Sequence, residues 1–183
     1  MSKAILFFTD GLEECEGLLV VDLLRRAGIT VQTVSVSGRA EVTSSHNVTL
    51  RCDAVAETAD LTDADAVVLP GGMPGTTHLA ESALVARTVR AYAAQGKLVA
   101  AICAAPSVLG GLGLLQGKRA TVYPGFEDKL TGATVTDGEF VTDGNIVTAC
   151  SLGAAIPFAL ELIRLLEGDA KAAQVRASIG YRH

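Results

Sequence analysis

Lys97-Leu98-Val99-Ala100-Ala101-Ile102-Cys103-Ala104-Ala105-Pro106 is the stretch on which the fold turns. Its apolar run shows no alternation, the pattern of a strand buried on both faces in a parallel sheet covered by helices. Pro106 suits the first turn of a helix, where its missing N–H leaves no hydrogen bond unmade. The order is therefore strand, thiol, helix, with a strand over 97–102, a helix from 104 or 105 to 112, and Cys103 at the elbow. Such an elbow presents a nucleophile at the carboxyl end of a strand, with sulfur in place of the usual oxygen. A positive helix end beside that sulfur is expected to favour thiolate and to bring its pKa below the free value of about 8.5. Cys15, Cys52 and Cys150 carry no such signal and read as inert thiols, the common state of a free cysteine. The uncharged run 98–115 approaches the ~18 residues of a membrane span. Pro106, Ser107, Gly110, Gly111 and Gly113 interrupt it, so it reads as a buried strand and helix instead.

The same rhythm extends in both directions. Residues 3–8 form a buried strand, 12–27 a helix closed by Gly28, 29–36 a second strand, and 38–52 a hairpin or edge excursion. A strand over 66–69 runs straight into Pro70-Gly71-Gly72-Met73-Pro74-Gly75. Ser82 caps a helix reaching about 95, which Gly96 ends. The least regular part is 117–148, with expected strands at 120–122, 139–142 and 146–148 and a short helix near Glu127. Helices over 153–166 and 170–177 close the chain. Parallel strands with covering helices imply an α/β three-layer sandwich, mostly parallel, as one domain over 1–183, whose ligands lie outside the carboxyl ends of the strands.

Composition narrows the function. With 183 residues, 49% hydrophobic and 19% charged, the chain has enough apolar surface for one core and is not a disordered segment. A net charge of -5, five Phe, three Tyr and no Trp leave neither the basic footprint nor the stacking platforms of a nucleic-acid binder. Four cysteines without C-x-x-C spacing, and no charged-then-apolar leader, point to reduced thiols in a cytoplasmic compartment and to no metal site. Gly71-Gly72-Met73-Pro74-Gly75 lacks the G-x-G-x-x-G spacing, Gly111-Leu112-Gly113 has Gln116 at the third glycine position, and no Walker A sequence occurs.

Three features fall at strand carboxyl ends: the turn and helix start from Asp10 to Glu16, the Gly71-Gly72 loop, and Cys103. Gly71 and Gly72 offer backbone N–H groups without side chains, usable as an oxyanion hole or simply as a tight turn. Glu13, Glu14 and Glu16 crowd a helix start, where the dipole favours carboxylates whatever their role. Glu16 shares a helical stripe with Val20, Leu23 and Ala27 and should face the sheet, while Glu13 lies on a neighbouring stripe with Val20 and Leu24. A carboxyl group buried beside Cys103 would be pushed toward its protonated form, able to donate to sulfur or pass a proton to substrate. Leu18, Leu19 and Val21 make the same helix apolar nearly all round, which suits a homodimer contact.

The set Glu13-Glu14-Cys15-Glu16, Val68-Leu69-Pro70-Gly71-Gly72, Ala100-Ala101-Ile102-Cys103-Ala104-Ala105-Pro106 and Phe158-Ala159-Leu160 resembles the ThiJ/PfpI superfamily, in the branch of the Parkinson-associated protein deglycase. The resemblance spans essentially the whole chain. It implies a flavodoxin-like sandwich, usually a homodimer, with Cys103 as reactive thiol, Glu16 as its protonated partner, the Gly72 and Ala104 amides as oxyanion donors beside Gly71, and no metal or organic cofactor. The chain departs from the pattern at three places. Ala104 stands where the protease-like branch has His, so peptidase activity is not expected. Tyr123 stands where close relatives often have His, which makes its phenol the candidate substrate-binding or proton-carrying group there. Cys150-Ser151 replaces an Arg-Gly near the closing helix. The expected activity is glutathione-independent conversion of methylglyoxal to lactate, or removal of early glycation adducts by the same thiol chemistry, on 2-oxoaldehydes or glycated substrates. The competing expectation is an oxidative-stress sensor or redox-regulated chaperone without turnover, in which Cys103 is oxidised toward sulfinate. A plain α/β binding domain is disfavoured by the missing phosphate loop.

Overall fold

A computed structural model describes residues 1–182, so the last position of the expected 1–183 unit, His183, lies outside the described residues. The elements in chain order are β1 (Lys3–Phe8), α1 (Glu14–Arg26), β2 (Thr30–Ser35), β3 (Glu41–Thr43), β4 (Thr49–Arg51), β5 (Ala54–Val55), β6 (Ala66–Leu69), α2 (Gly75–Glu81) and α3 (Ala83–Ala94). They continue with β7 (Leu98–Ile102), α4 (Pro106–Gly111), β8 (Arg119–Ala120), β9 (Thr134–Val135), β10 (Phe140–Asp143), β11 (Ile146–Ala149), α5 (Ala155–Glu167) and α6 (Asp169–Ser178). The main sheet has the order β10-β11-β7-β6-β1-β2-β5, parallel except where β10 meets β11.

The continuous apolar runs form this sheet because both of its faces are covered. Along β1, Ala4, Leu6 and Phe8 face one apolar cluster with Leu23 and Leu24 of α1 and Phe158 and Leu162 of α5. Ile5 and Phe7 face the other, with Leu79 of α2, Val85, Val89 and Tyr92 of α3, and Leu109 of α4. The result is a flavodoxin-like three-layer α/β sandwich. The run 98–115 divides into β7 and α4, and among the described residues no helix is long and apolar enough to cross a membrane.

Strand and helix positions follow local signals closely where those signals are strong. Ser82 accepts from Val85 N–H as the cap of α3, as its hydroxyl chemistry predicts. The first helix starts later than residue 12, because Leu12 is buried in the turn and Glu13, in extended backbone, is the cap. Gly75–Glu81 is helical although its Gly-Thr-Thr start gave no sequence signal. The expected apolar surround of α1 is mostly consumed within the chain: Val21 is buried in the cluster shared with α5, Leu19 packs against that cluster, and Leu18 stays 41% exposed. Helix α1 packs on α5, which takes the face that the sequence left unpartnered.

Candidate active site

Strands β7, β6 and β1 are neighbours, and the chain leaves β1 for a helix on one face of the sheet and β6 for helices on the other. The crevice at their carboxyl ends is therefore the switch point at which open α/β sheets bind ligands. Into it come the start of α1, the Gly71-Gly72 loop and Cys103.

Cys103 is built as an elbow. Its φ is 64°, a left-handed conformation that a side chain adopts only when its surroundings hold it. Two hydrogen bonds do so: Cys103 N–H donates to the Ala149 carbonyl at 2.9 Å, and the Cys103 carbonyl accepts from Tyr123 N–H at 2.8 Å. The sulfur meets the backbone amides of Gly72 and Ala104 and the carboxyl group of Glu16.

Glu16 lies on the inward stripe, 1% exposed, in line with Val20, Leu23 and Ala27, all buried. Gly71 N–H donates to Glu16 Oε2 at 3.1 Å, and Glu13 N–H donates to the Gly71 carbonyl at 2.9 Å. Gly71 is the spacer between the Glu16 and Cys103 side chains. A Cβ there would stand 2.5 Å from Glu16 Oε2 and 2.6 Å from the Cys103 Cβ, so only hydrogen fits. Gly72 has a φ of 91°, and a Cβ on it would strike the Glu13 backbone nitrogen. Glu13 is more than a helix-end charge, since its carboxylate accepts from Glu16 N–H at 2.6 Å and so fixes the turn from which Glu16 projects.

Burial pushes the Glu16 carboxyl up to about 7, against the lowering contributed by its hydrogen bond to Cys103, with the Glu13 charge raising it further. The Cys103 thiol is pushed up to about 12, by burial first and by the Glu16 carboxylate second. This corrects the expectation of a thiol acidified by a helix end. Helix α4 begins only at Pro106, two residues beyond Ala104, and is six residues long, too little dipole to offset a buried neighbour carboxylate. The two groups share protons as a pair. Cys52 is likewise raised, to about 11, by its burial.

Tyr123 is 47% exposed, touches the elbow through its backbone N–H, and stacks edge-on with Phe126 at 6.5 Å. Three features escaped the sequence reading. His46 stands 3.1 Å from the Glu14 carboxylate, which raises the imidazole pKa, while Glu14 itself is lowered, against its partial burial, by a backbone hydrogen bond first and by His46 second. Asp10 accepts from Thr43 N–H at 2.8 Å and pairs with Arg39, tying the β3–β4 hairpin to the site. Cys150 follows directly on β11, the strand beside Cys103. Hairpin contacts of this kind leave no local periodicity, but the register of β11 against β7 would have revealed the last. Among the described residues Glu13, Glu14 and His46 place donor atoms within 4.8 Å of one another. That trio sits at the positive end of α1 with Glu13 engaged as the cap, conditions that oppose a cation.

Comparison with known proteins agrees with this geometry. The DJ-1/PfpI family model matches residues 2–165. The chain is 38% identical over 178 residues to protein dj-1beta of Drosophila melanogaster, covering 96% of this chain and 95% of the relative. It is 32% identical over 168 residues to a Pyrococcus abyssi protein named as a deglycase, covering 90% of this chain and 99% of that one. The structure of an oxidized Toxoplasma gondii DJ-1 superposes with a TM-score of 0.96 at 35% identity, covering 100% of both chains.

Proposed function

Because the chain belongs to the DJ-1/PfpI family, which includes a protein named as a deglycase, we propose that it is a cofactor-independent enzyme acting on 2-oxoaldehydes and on their early adducts with proteins. The observation that carries this reading is the pairing of the half-buried Cys103 with the buried Glu16, brought into contact beside Gly71. In its active form the pair is a thiol beside a carboxylate. Glu16 takes the thiol proton as sulfur attacks the aldehyde carbon of methylglyoxal, and the amides of Gly72 and Ala104 donate to the developing oxyanion. The Glu16 carboxyl returns that proton to the oxygen, giving a hemithioacetal.

The carboxylate then removes the proton on the former aldehyde carbon as a C=C bond forms to the ketone carbon; the hydroxyl proton passes to the former ketone oxygen, and Glu16 delivers the abstracted proton to that neighbouring carbon as the thioester C=O bond forms. The product is a thioester of lactate on Cys103. Water hydrolyses it, regenerating the thiol; the net reaction adds one water to methylglyoxal and needs no glutathione. On an early glycation adduct, a hemiaminal, the Cys103 sulfur displaces the protein amine from the same carbon: the C–S bond forms, the C–N bond breaks, and the amine leaves with the thiol proton relayed by Glu16. Tyr123, half exposed at the mouth, contacts substrate. A homodimer meeting on the outer face of α1 around Leu18 belongs to the same reading.

The oxidized state of the Toxoplasma relative favours a second reading, in which Cys103 senses oxidants without turnover. Incubation of the purified protein with methylglyoxal, without glutathione, separates the two. Lactate from wild type and none from Glu16→Gln is the expected result; an inert wild type whose Cys103 is still oxidised by peroxide would transfer the function to sensing.

A further inference from the structure

Cys150 is a second thiol at the same end of the sheet, and the reaction above makes no use of it. Strand β11 runs parallel to β7 with Ala149 opposite Ile102. The hydrogen bond from Cys103 N–H to the Ala149 carbonyl closes that ladder, so Cys103 and Cys150 are each the first residue past the paired ends of neighbouring strands. The paired strand ends from which the two cysteines depart lie ~4.8 Å apart, and a disulfide spans ~4.4–6.8 Å between Cα atoms, so closing the bond asks Cys103 to turn its side chain from the Gly71 side toward β11. Both side chains are half-buried and pack against the same apolar cluster under α1 and α5.

The Cys150 sulfur meets the Ser151 hydroxyl at 3.5 Å, a weak restraint on rotation about χ1. Cys150 also lines a cleft of about 180 Å³ with Thr121, Val122, Pro124 and Thr136. In that cleft the buried Thr136 Oγ1 has no hydrogen-bond partner among the described residues, and Tyr123, between Val122 and Pro124, bonds the Cys103 carbonyl. The cleft suits a small hydrophilic molecule reaching the Cys150 sulfur. Cys15 is exposed on α1, and Cys52, bonded to the Ala40 carbonyl beyond β4, lies off the sheet end that carries Cys103.

We propose that Cys150 is the resolving thiol of Cys103: a hydroperoxide oxidises Cys103, and Cys150 closes a Cys103–Cys150 disulfide that reversibly withdraws the nucleophile. This rests on Cys103 being the reactive thiol. In the first step the Cys103 sulfur, its proton passing to the Glu16 carboxylate, attacks the terminal peroxide oxygen. An S–O bond forms, the O–O bond breaks, and the leaving alkoxide takes the proton from Glu16 to depart as alcohol or water. In the second step the Cys150 sulfur attacks the sulfenic sulfur. The S–S bond forms, the S–O bond breaks, and hydroxide leaves as water with the Cys150 proton. The peroxide gains the two electrons that the two thiols lose. Disulfide formation forestalls oxidation of the sulfenate to sulfinate, which cellular thiols do not reverse.

The test treats the full chain with a small excess of hydrogen peroxide, blocks the remaining thiols with N-ethylmaleimide and maps peptides without reduction. Wild type is expected to give one cross-linked species joining the Cys103 and Cys150 peptides, with the loss of two hydrogens, and dithiothreitol is expected to restore full methylglyoxal turnover. Cys150→Ser, and Cys150→Ala as a second variant should the first fold poorly, is expected to keep turnover under reducing conditions. At the same peroxide dose either variant should instead gain two oxygens on Cys103, with turnover lost beyond rescue. Sulfinate on Cys103 of wild type with Cys150 still alkylated would overturn the inference while leaving the reactive-thiol reading intact. A Cys103 that peroxide leaves untouched would overturn both, and a cross-link through Cys15 or Cys52 would assign resolution elsewhere.

Discussion

Replacing Glu16 by Gln should make the protein more stable at alkaline pH and change the shape of its pH dependence. The carboxyl is 1% exposed and its pKa is raised from 4.5 to about 7, chiefly by burial. For an acid whose folded pKa lies above its unfolded value, the native state binds the proton more tightly, so its contribution is complete below about 4.5 and is lost as pH rises through about 7. At ~1.36 kcal/mol per pKa unit the interval amounts to about 3 kcal/mol, a cost that wild type carries above pH 8 and that a neutral amide does not. The Gln side-chain oxygen can still accept from Gly71 N–H, so the variant should match wild type within about 1 kcal/mol near pH 5. Urea unfolding at steps from pH 5 to 8.5 reads the difference. With a urea slope of ~1–3 kcal/mol/M, the variant's midpoint should rise above that of wild type by about 1 M or more at the alkaline end. Parallel curves for the two proteins would refute the reasoning, because Glu16 would then ionise in the folded state as easily as in the unfolded one.

Three further outcomes follow from the same contacts. Gly71→Ala should cost about 1–3 kcal/mol in denaturant unfolding, as overpacking does, and should remove turnover, because its methyl group would displace both Glu16 and Cys103; an active, equally stable variant would mean that the pair is looser than described. Glu13→Ala should cost about 1 kcal/mol through loss of the cap to Glu16 N–H, whereas Glu13→Gln, which keeps an acceptor, should cost less; equal costs in thermal unfolding would show that charge and not capping matters. Cys103 alkylation by iodoacetamide at pH 8 should be faster in Glu16→Gln than in wild type, since the carboxylate that raises the thiol pKa is gone; peptide mapping that finds the rate unchanged would remove Glu16 from the thiol's surroundings.

The parts of the fold legible in the sequence are those in which one residue type has one physical use. The run Ala66-Val67-Val68-Leu69 is a strand to the residue, Ser82 caps the helix it precedes, and Pro106 opens α4. Strands β5 and β9, two residues each, exist through pairing with β2 and β8 and carry no pattern of their own. The inward stripe of α1 identified Glu16, because periodicity alone decides which side chains a helix turns toward a sheet. The charge state of Cys103 was not legible, because it depends on burial and on a carboxylate 87 positions earlier in the chain, neither of which the strand-to-helix pattern contains. Leu19 and Val21 show a related limit: an apolar helix face wants cover, and sequence alone does not say how much of it α5 supplies within the chain.

The central claim is that the Cys103 thiol forms the bond to substrate through which 2-oxoaldehydes are turned over. The measurement that tests it most directly is lactate production from methylglyoxal, without glutathione, by wild type and by Cys103→Ser at equal concentration, each checked for native secondary structure by circular dichroism. Serine is nearly isosteric with cysteine but a far weaker nucleophile at neutral pH, so wild type should form lactate catalytically and the folded variant should form none above buffer. Lactate formation by the folded Cys103→Ser protein at a rate comparable with wild type, or its absence from wild type, would contradict the account.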